Sequence, residues 1–388
     1  IKGVGGYERL DDLVERGGNS IRTWGVGPET GALLDLAQEK GLTVTLGLWM
    51  EHERHGFSYA DQDAVAAQLE RHRQAVLAHK DHPAVLMWAV GNEMEHGTSD
   101  PVAVWKAVED VAAMIKDLDP NHPAITVIAE LGHEGKSVRM PHEHCPSIDA
   151  IGINTYGGIV NVGDRYRDLN PTKPYLITEH GVLGQWEVGK TEWGLPIEQT
   201  STEKAEFYRL GYQNAVLNHP GLSLGAYTFL WGEKQETTDT WFGMWLRDGA
   251  RTGSVDVIQT MWTGQPPANR VPQIDAVQLM GPKVVKPGAA VKVRISASDP
   301  DDDPLTARWV LRHASEGVAQ GGDFEERNAE VENAITRADT RAAGARMPQE
   351  PGAYRLFVYL YDNHGGAATA NVPLLVSDDP ARTAEAAP

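Results

Sequence analysis

Cysteine is almost absent from this chain of 388 residues. The single cysteine, Cys145, excludes an internal disulfide and a cysteine-based metal cage, and it says nothing about the redox compartment. Stability must therefore come from packing. With 41% hydrophobic and 23% charged residues, the composition is that of a globular protein long enough for two domains.

Basic residues are scarce relative to acidic ones. The 35 Lys and Arg residues against 54 Asp and Glu residues give a formal net charge of −19. Such a surface repels phosphate backbones and anionic lipids, so neither nucleic acid nor a membrane surface is an expected partner. Long apolar runs are also missing. No stretch approaches the roughly 20 apolar residues of a spanning helix, which predicts no membrane insertion.

Two further absences concern the start of the chain. The first four residues, IKGV, contain neither an initiator methionine nor a basic-then-apolar leader, so we expect a trimmed chain. Separately, the expected location is extracellular or periplasmic. The GVGG sequence at residues 3–6 lacks the spacing of a G-x-G-x-x-G phosphate turn. The sequence therefore does not predict a dinucleotide-binding open sheet.

Short apolar runs alternate with segments of helical period over residues 1–264, a pattern typical of βα units around a parallel sheet. Eight runs, most of them non-alternating as in strands buried on both faces, predict a closed (β/α)₈ TIM barrel of the α/β class. The runs cover residues 1–4, 20–24, 43–49, 85–90, 125–129, 150–154, 175–178 and 224–231. Helices are predicted over residues 30–40, 64–79, 102–118, 201–217 and 255–262.

The sequence changes character after residue 264. Residues 265–271 are predicted to be a linker, and alternating runs over residues 272–377 predict an all-β module. Its SDPDDDPLT and YDNHGG segments resemble immunoglobulin-like domains of the polycystic-kidney-disease or cadherin-like type, which implies an accessory β-sandwich. We expect the Asp-rich turn to be free of an ion, with Ca²⁺ binding as the alternative. Residues 378–388 are predicted to be a flexible tail.

Carboxylates stand at the ends of the fourth and seventh runs. These runs close as WAVGNE and YLITEHG, which places Glu93 and Glu179 at the carboxyl end of the barrel strands, where active sites of such barrels lie. Two opposed carboxyl groups can cleave a glycosidic bond without metal or cofactor, because one protonates the leaving oxygen while the other faces the oxocarbenium-like centre. Glu51, Glu53 and Glu130 also follow runs and are predicted to contact substrate instead.

The Asn-Glu pair at residues 92–93 and the T-E-H-G sequence around Glu179 resemble the retaining glycoside hydrolases of clan A, especially the family 2 and family 5 catalytic barrels. The resemblance covers nearly all of residues 1–262. It implies that Glu93 is the acid/base and that Glu179 is the nucleophile. The alternative for either residue alone is a solvated or ion-paired glutamate at a strand end.

The same resemblance implies roles for other residues at the barrel mouth. Arg22 and Tyr156 would hydrogen-bond to the nucleophile, whereas a structural ion pair and barrel packing are their alternatives. Asn92 would bind the sugar 2-hydroxyl group, and Trp231 would form an apolar platform beneath a sugar ring. Their alternatives are a turn residue for Asn92 and barrel packing for Trp231. His180 departs from the family pattern, since many relatives carry an aromatic residue after the nucleophile.

The loops supply further candidates. His52, Glu53 and His55 are predicted to hydrogen-bond to sugar hydroxyl groups, with solvated loop residues as the alternative. Trp186 and Trp241, which follow the seventh and eighth runs, are candidates for stacking on a sugar, and core packing is their alternative. Because the EHERH segment at residues 51–55 lacks the helical H-E-x-x-H order, no metal site is predicted there.

These patterns together predict a retaining glycosidase or transglycosidase that acts on a neutral β-linked oligo- or polysaccharide. Neutrality is expected because the barrel segment is acidic and a mouth lined with glutamates would repel a polyanion. The alternatives are a noncatalytic carbohydrate-binding protein on the same barrel and a metal-dependent hydrolase.

Overall fold

The computed structural model describes residues 1–315 and 324–379. In this part of the chain, eight parallel strands pair in sequence order, and β1 also pairs with β8, so that the sheet closes into a barrel. The predicted α/β class and (β/α)₈ barrel are confirmed. The strands are β1 Lys2–Gly5, β2 Ser20–Arg22, β3 Thr43–Leu48, β4 Val85–Val90, β5 Ala124–Ala129, β6 Ala150–Asn154, β7 Tyr175–His180 and β8 Ser223–Thr228.

Helices alternate with the barrel strands. Helices α3 and α4 begin after Asp61 and Asp100, whose side chains accept hydrogen bonds from backbone N–H groups two and three residues further on. No described helix has the length and apolar composition needed to cross a bilayer. The helices are α1 Leu10–Glu15, α2 Thr30–Glu39, α3 Gln62–His79, α4 Pro101–Leu118, α5 Lys136–His144, α6 Val162–Asp168, α7 Ser201–Tyr212 and α8 Gly253–Thr263.

The interior of the barrel is filled by side chains. Strands β6 and β7 are buried along their whole length, in agreement with their non-alternating sequences. The hydroxyl group of Tyr227 lies 2.8 Å from Ser20 Oγ and 2.6 Å from Thr45 Oγ1 inside the barrel. Because the interior is a packed core, ligand chemistry must take place where the strands end.

The chain divides into two compact units that interleave along the sequence. The first unit contains Ile1–Gly181 and Leu210–Trp231, and it includes all eight barrel strands. The second unit contains Val182–Arg209 and the chain from Gly232 onward. The predicted domain limits, 1–264 and 272–377, follow a change in sequence pattern, whereas the compact units are defined by packing. The domain limits therefore stay a prediction.

The second unit contains the predicted all-β module. Two four-stranded sheets, in the orders β10-β16-β15-β12 and β13-β14-β11-β9, share one apolar core that includes Ile274, Val293, Trp309 and Leu356. An immunoglobulin-like character stays a prediction, and residues 380–388 of the predicted tail lie outside the described residues. The strands are β9 Gln273–Leu279, β10 Val284–Val285, β11 Ala290–Ser298, β12 Thr306–His313, β13 Ile335–Ala338, β14 Ala342–Arg346, β15 Gly352–Tyr361 and β16 Ala367–Val376.

Candidate active site

The carboxylate of Glu179 lies near the end of β7 and is only 6% exposed. In the described chain, three side chains donate hydrogen bonds to it. Arg22 Nη1 and Trp24 Nε1 donate to Oε1 at 2.9 and 2.7 Å. The hydroxyl group of Tyr156 donates to Oε2 at 3.1 Å. Both oxygens of Glu179 are therefore engaged by protein donors, one of them a charged guanidinium.

Arg22 connects Glu179 to its neighbours. Its guanidinium is 1% exposed and donates to the carbonyl oxygen of Thr178 at 2.9 Å as well as to Glu179. The Nη2 atom donates to Asn92 Oδ1 at 2.7 Å. A buried guanidinium needs a paired charge and filled hydrogen bonds, and the contact with Glu179 supplies the charge. Arg22 is therefore both an ion-pair partner and a positioning group.

Glu93 follows β4 in a tight turn with unusual backbone geometry. Gly91 has a φ of +68° and Glu93 a φ of +54°, so a residue with a side chain adopts the left-handed conformation that favours glycine. Its N–H donates to the carbonyl oxygen of Val127 at 2.8 Å, which ties the turn to β5. Such a conformation costs roughly 1–2 kcal/mol and persists where the surroundings impose it.

The carboxyl group of Glu93 differs from that of Glu179 in its surroundings. Asn154 Nδ2 donates to Oε1 at 2.8 Å, and this is a neutral donor. Burial and the negative charge of Glu179 raise the pKa of Glu93 to about 7, against the opposing effects of Asn154 and Arg22. A carboxyl group with this pKa carries a proton in about half of the molecules at pH 7, and the protonated form can deliver it to a leaving group.

Two asparagines join the carboxyl groups into one network. Asn92 Oδ1 accepts from Arg22 and also from Asn154 Nδ2 at 3.1 Å. Thr178 Oγ1 donates to Asn154 Oδ1 at 2.8 Å, which sets the orientation of the Asn154 amide. Because the Asn92 oxygen is occupied by protein donors, its NH₂ group is the part suited to a sugar hydroxyl group.

Partly exposed aromatic rings lie beside Glu179 at the mouth of the barrel. Phe229 lies edge-on to Trp24, with ring centroids 6.3 Å apart, and edge-on to Tyr156 at 5.9 Å. The predicted platform, Trp231, is instead 1% exposed, and its indole N–H donates to the Arg9 carbonyl oxygen at 3.3 Å. Its predicted stacking role would need the surrounding side chains to move.

Two predicted sugar-stacking tryptophans belong to the second unit and differ in exposure. Trp186 is 58% exposed, with its ring centroid 6.3 Å from that of Phe242. Trp241 is 1% exposed, and its Nε1 donates to the carbonyl oxygen of Leu183 at 2.9 Å. Trp186 is thus open to a ligand, whereas Trp241 packs in the core, the alternative raised from the sequence.

The loop after β3 brings His52, Glu53 and His55 close to the β4 loop. His52 is 4% exposed, and burial and nearby Arg54 lower its pKa to about 4, so the ring is neutral. The Glu53 carboxylate accepts from Ser99 N at 2.5 Å and from Ser99 Oγ at 3.2 Å. Glu53 therefore ties the two loops together, and binding of a sugar hydroxyl group by it stays a prediction.

The other predicted carboxylates are engaged by protein groups. Glu51 lies 3.3 Å from Arg71, and Glu130 lies 3.5 Å from Arg165 while also accepting from Thr155. Within residues 1–315 and 324–379, no three His, Cys, Asp or Glu side chains are arranged to hold a metal ion.

Sequence reasoning did not select Trp24 and Asn154, although each contacts one of the two central carboxyl groups. Both stand at the ends of predicted strand runs, at residues 24 and 154, where polar side chains reach the barrel mouth. Their position is the signal in the sequence, because any polar side chain at the end of a run, and not only a carboxylate, is a candidate for the barrel mouth. His180, the departure from the family pattern, is fully buried, and burial lowers its pKa to about 3.

Comparison with known protein families identifies the barrel. Residues 13–250 match the model described as "Glycosyl hydrolases family 2, TIM barrel domain", which is more than half of the chain. The chain belongs to glycosyl hydrolase family 2. The family 2 match covers both central glutamates and every donor to them.

One curated relative is a β-glucuronidase of Streptococcus agalactiae serotype V, which is 24% identical over 230 residues. The match takes in 53% of this family 2 chain and 37% of the relative, so the chain spans well under half of that protein. The activity of that relative is therefore not assigned to this chain.

Solved structures share the barrel at low sequence identity. A β-glucuronidase from Ruminococcus gnavus aligns with a TM-score of 0.52 at 15% identity, over 67% of this chain and 49% of that one. A β-galacturonidase from Eisenbergiella tayi aligns with a TM-score of 0.51 at 18% identity, over 68% and 51% of the respective chains. At these identities the likeness concerns the fold alone.

Proposed function

We propose that this family 2 barrel is a retaining β-glycosidase that works by double displacement. The observation that carries the proposal is the contrast between two linked carboxyl groups. Glu179 is held by a guanidinium, an indole and a phenol, whereas Glu93 is partly buried, receives a neutral amide donor and has a raised pKa. One group is prepared to attack and the other to donate a proton.

In the first step, a Glu179 oxygen bonds to the anomeric carbon while Glu93 gives its proton to the departing glycosidic oxygen. In the second step, Glu93 removes a proton from water, and the resulting hydroxide oxygen displaces Glu179 from the sugar. An acceptor sugar in place of water would give transglycosylation by the same steps. The Asn92 NH₂ group would hold the 2-hydroxyl group of the sugar under attack, here called the −1 sugar.

We propose that the −1 sugar is a neutral β-hexosyl unit. Arg22 touches the nucleophile, but its contacts go to Glu179, Thr178 and Asn92, so it is not available for a sugar carboxylate. A β-hexuronide is the second candidate, because the Streptococcus agalactiae relative is named a β-glucuronidase. Product analysis with β-glucans, β-mannans, β-galactosides and β-glucuronides would separate the two.

Stereochemistry and variants test the mechanism. Proton NMR during hydrolysis should show the β-anomer as the first product, whereas the α-anomer would indicate inversion. Glu179→Gln should lower kcat by more than about a thousandfold with every substrate. Glu93→Gln should lower kcat/KM by about 10²- to 10⁴-fold for poor leaving groups and much less for activated aryl glycosides.

Azide should rescue Glu93→Ala, since an anion can attack the glycosyl-enzyme without a general base. Glu70→Gln, on the exposed face of α3, serves as the matched control and should retain activity. Equal losses for Glu93→Gln with all leaving groups, together with no azide rescue, would reverse or void the two roles. For the β-domain, we propose an immunoglobulin-like accessory that contributes no catalytic residue.

A further inference from the structure

A group of basic side chains lies on the acid/base side of the site. His96 Nε2 is 3.7 Å from Glu93 Oε2, and the ring centroids of His52 and His55 are 6.0 Å apart. Arg54 is close enough for its charge to act on Glu93, His52 and His96. We call the following residues the basic cluster: His52, Arg54, His55 and His96.

The basic cluster is held in place by a contact between two loops. Glu53, within the 3₁₀ turn Glu53–His55, accepts both the N–H and the hydroxyl group of Ser99 at the end of the β4 loop. The same carboxylate therefore joins the segment that carries Arg54 to the segment that begins with Glu93. The Glu53 oxygens accept these two hydrogen bonds from Ser99, and Glu53 forms no ion pair with Arg54 among the described residues.

The cluster has unused binding capacity. Arg54 is exposed and makes no hydrogen bond or ion pair with any described residue, although the chain carries a net charge of −19. His52 Nε2 is buried and has no hydrogen-bond partner among the described residues. Glu95, two residues beyond Glu93, does not cancel the positive charge, since burial raises its pKa to about 8 and leaves it protonated at neutral pH.

We propose that the basic cluster binds an anionic group, a carboxylate or a sulfate ester, on the leaving-group side of the cleaved bond. The inference rests on the proposed function, because Glu93 protonates the departing oxygen and the group bonded to that oxygen therefore lies beside Glu93. A guanidinium presents a planar fork that matches both anions, and adjacent imidazoles supply further donors. The −1 sugar is then neutral, and the group bonded to the departing oxygen carries the negative charge.

The test uses aryl β-hexosides of the sugar that the substrate panel identifies. The aryl leaving groups are 3-carboxyphenyl, the sulfate ester 3-sulfooxyphenyl and neutral 3-carbamoylphenyl, so that the charge changes on the same aryl frame. We expect kcat/KM for one or both anionic substrates to exceed that for the neutral one by about fivefold in dilute buffer. The preference should shrink in 0.5 M salt, which screens charges beyond a few ångströms.

Variants assign the preference to the cluster. Arg54→Gln should remove the preference for the anionic leaving group, and Arg54→Lys should restore part of it, which a purely structural role would not do. Arg73→Gln changes a partly exposed arginine on α3 that pairs with Glu70; it is the matched control and should keep the full preference. The anionic substrate with the larger kcat/KM relative to the neutral one identifies the ligand. The carboxyphenyl substrate indicates a carboxylate site, and the sulfate substrate indicates a sulfate site.

The outcomes separate the two proposals. If the wild-type enzyme cleaves the neutral and anionic substrates equally, and neither salt nor Arg54→Gln changes their ratio, the anion site is wrong while the glycosidase proposal stands. If no aryl β-hexoside is cleaved, the proposed function fails and the anion site fails with it. A preference that survives Arg54→Gln unchanged would also overturn the assignment.

Discussion

At the residue scale, the site depends on two carboxyl groups of the same type in different surroundings. Glu179 receives charged and neutral donors on both oxygens, and Glu93 receives one amide donor while lying close to the charge of Glu179. The bridging groups, Asn92 and Asn154, join both environments through shared hydrogen bonds. Changes at either carboxyl group should therefore be felt at the other.

The raised pKa of Glu93 predicts the alkaline limb of the pH–rate profile. The protonated form is needed for the first step, so kcat/KM should be about half-maximal near pH 7, approach its full value about one unit lower and fall about tenfold per unit well above pH 7. Glu93→Gln, assayed with an activated aryl glycoside, should lose this limb because no titrating acid remains. A limb that persists near pH 7 in Glu93→Gln would assign the titration to another group.

Trp24→Phe removes the indole N–H that donates to Glu179 and keeps an aromatic ring beside Phe229. We expect kcat/KM to fall about tenfold, the cost of one hydrogen bond to a buried charge, with little change in thermal stability. Tyr156→Phe, which removes the donor to the other oxygen, is the companion variant. Wild-type activity in both variants would show that Arg22 alone suffices.

At the scale of elements, neighbouring strands β2 and β3 must approach closely for Trp24 to reach Glu179. Gly47 on β3 lies against the chain just after β2, where a Cβ atom would come within 2.4 Å of the Thr23 oxygen and the Trp24 carbonyl carbon. These are backbone atoms, which cannot turn aside as a flexible side chain can. The glycine is thus required by space and not by its φ angle.

Gly47→Ala should therefore push β2 away and shift Trp24 from Glu179. We expect a loss of about 2 kcal/mol or more in the free energy of unfolding, measured with urea, and a fall in kcat/KM greater than that of Trp24→Phe. Gly31→Ala in α2 is the control, since a Cβ there meets nothing within 4 Å and alanine favours the helix. A fully active, fully stable Gly47→Ala enzyme would contradict the packing argument.

At the scale of the whole molecule, the second unit contains a buried charge network. Lys204 Nζ lies 2.5 Å from Glu198 Oε1, and Asn371 on β16 donates to Glu198 Oε2 at 2.6 Å. Arg355 on β15 donates to Asn371 and to the carbonyl oxygen of Pro196. The segment that follows β7 in the sequence is therefore bonded to the β-domain.

Lys204→Met tests this network, because it leaves Glu198 without its closest cation. Burial opposes ionisation, but the charges of Lys204 and Arg355 outweigh it, and the pKa of Glu198 is lowered. The stabilisation is thus present above the unfolded pKa of about 4.3 and is lost as the pH falls through the folded value. We expect Lys204→Met to lose about 3–5 kcal/mol of unfolding free energy at pH 7.

The control for this prediction is Lys292→Met, at an exposed position of β11. It should change the free energy of unfolding by less than about 0.5 kcal/mol. Lys204→Met should also show a weaker fall in stability on acidification, since the ionised Glu198 no longer has its partner. Equal stability of Lys204→Met and the wild-type chain in urea unfolding at pH 7 would show that the network is not a main source of stability.

The barrel could be predicted from the sequence because its strands are buried on both faces and leave short, continuous apolar runs between helical segments. Eight such runs, each close to the observed strand, were enough to establish the fold class. Helices α1, α5 and α6 were not predicted, since they are short and α5 contains Pro141, so local propensity carries little signal. The strand ends also displayed Glu93 and Glu179, because chain position decides which side chains reach the mouth.

Tertiary structure alone decided what those side chains do together. Residues 22, 92, 154 and 179 come from four different strands or strand ends, and closure of the barrel brings them within hydrogen-bond distance. Burial of Trp231 and Trp241 could not be read from their loops, since exposure depends on what packs against a ring and not on its neighbours in sequence. For the same reason, the raised pKa of Glu93 and the free guanidinium of Arg54 emerge only when distant segments meet, because desolvation and Coulomb interactions depend on distance in space.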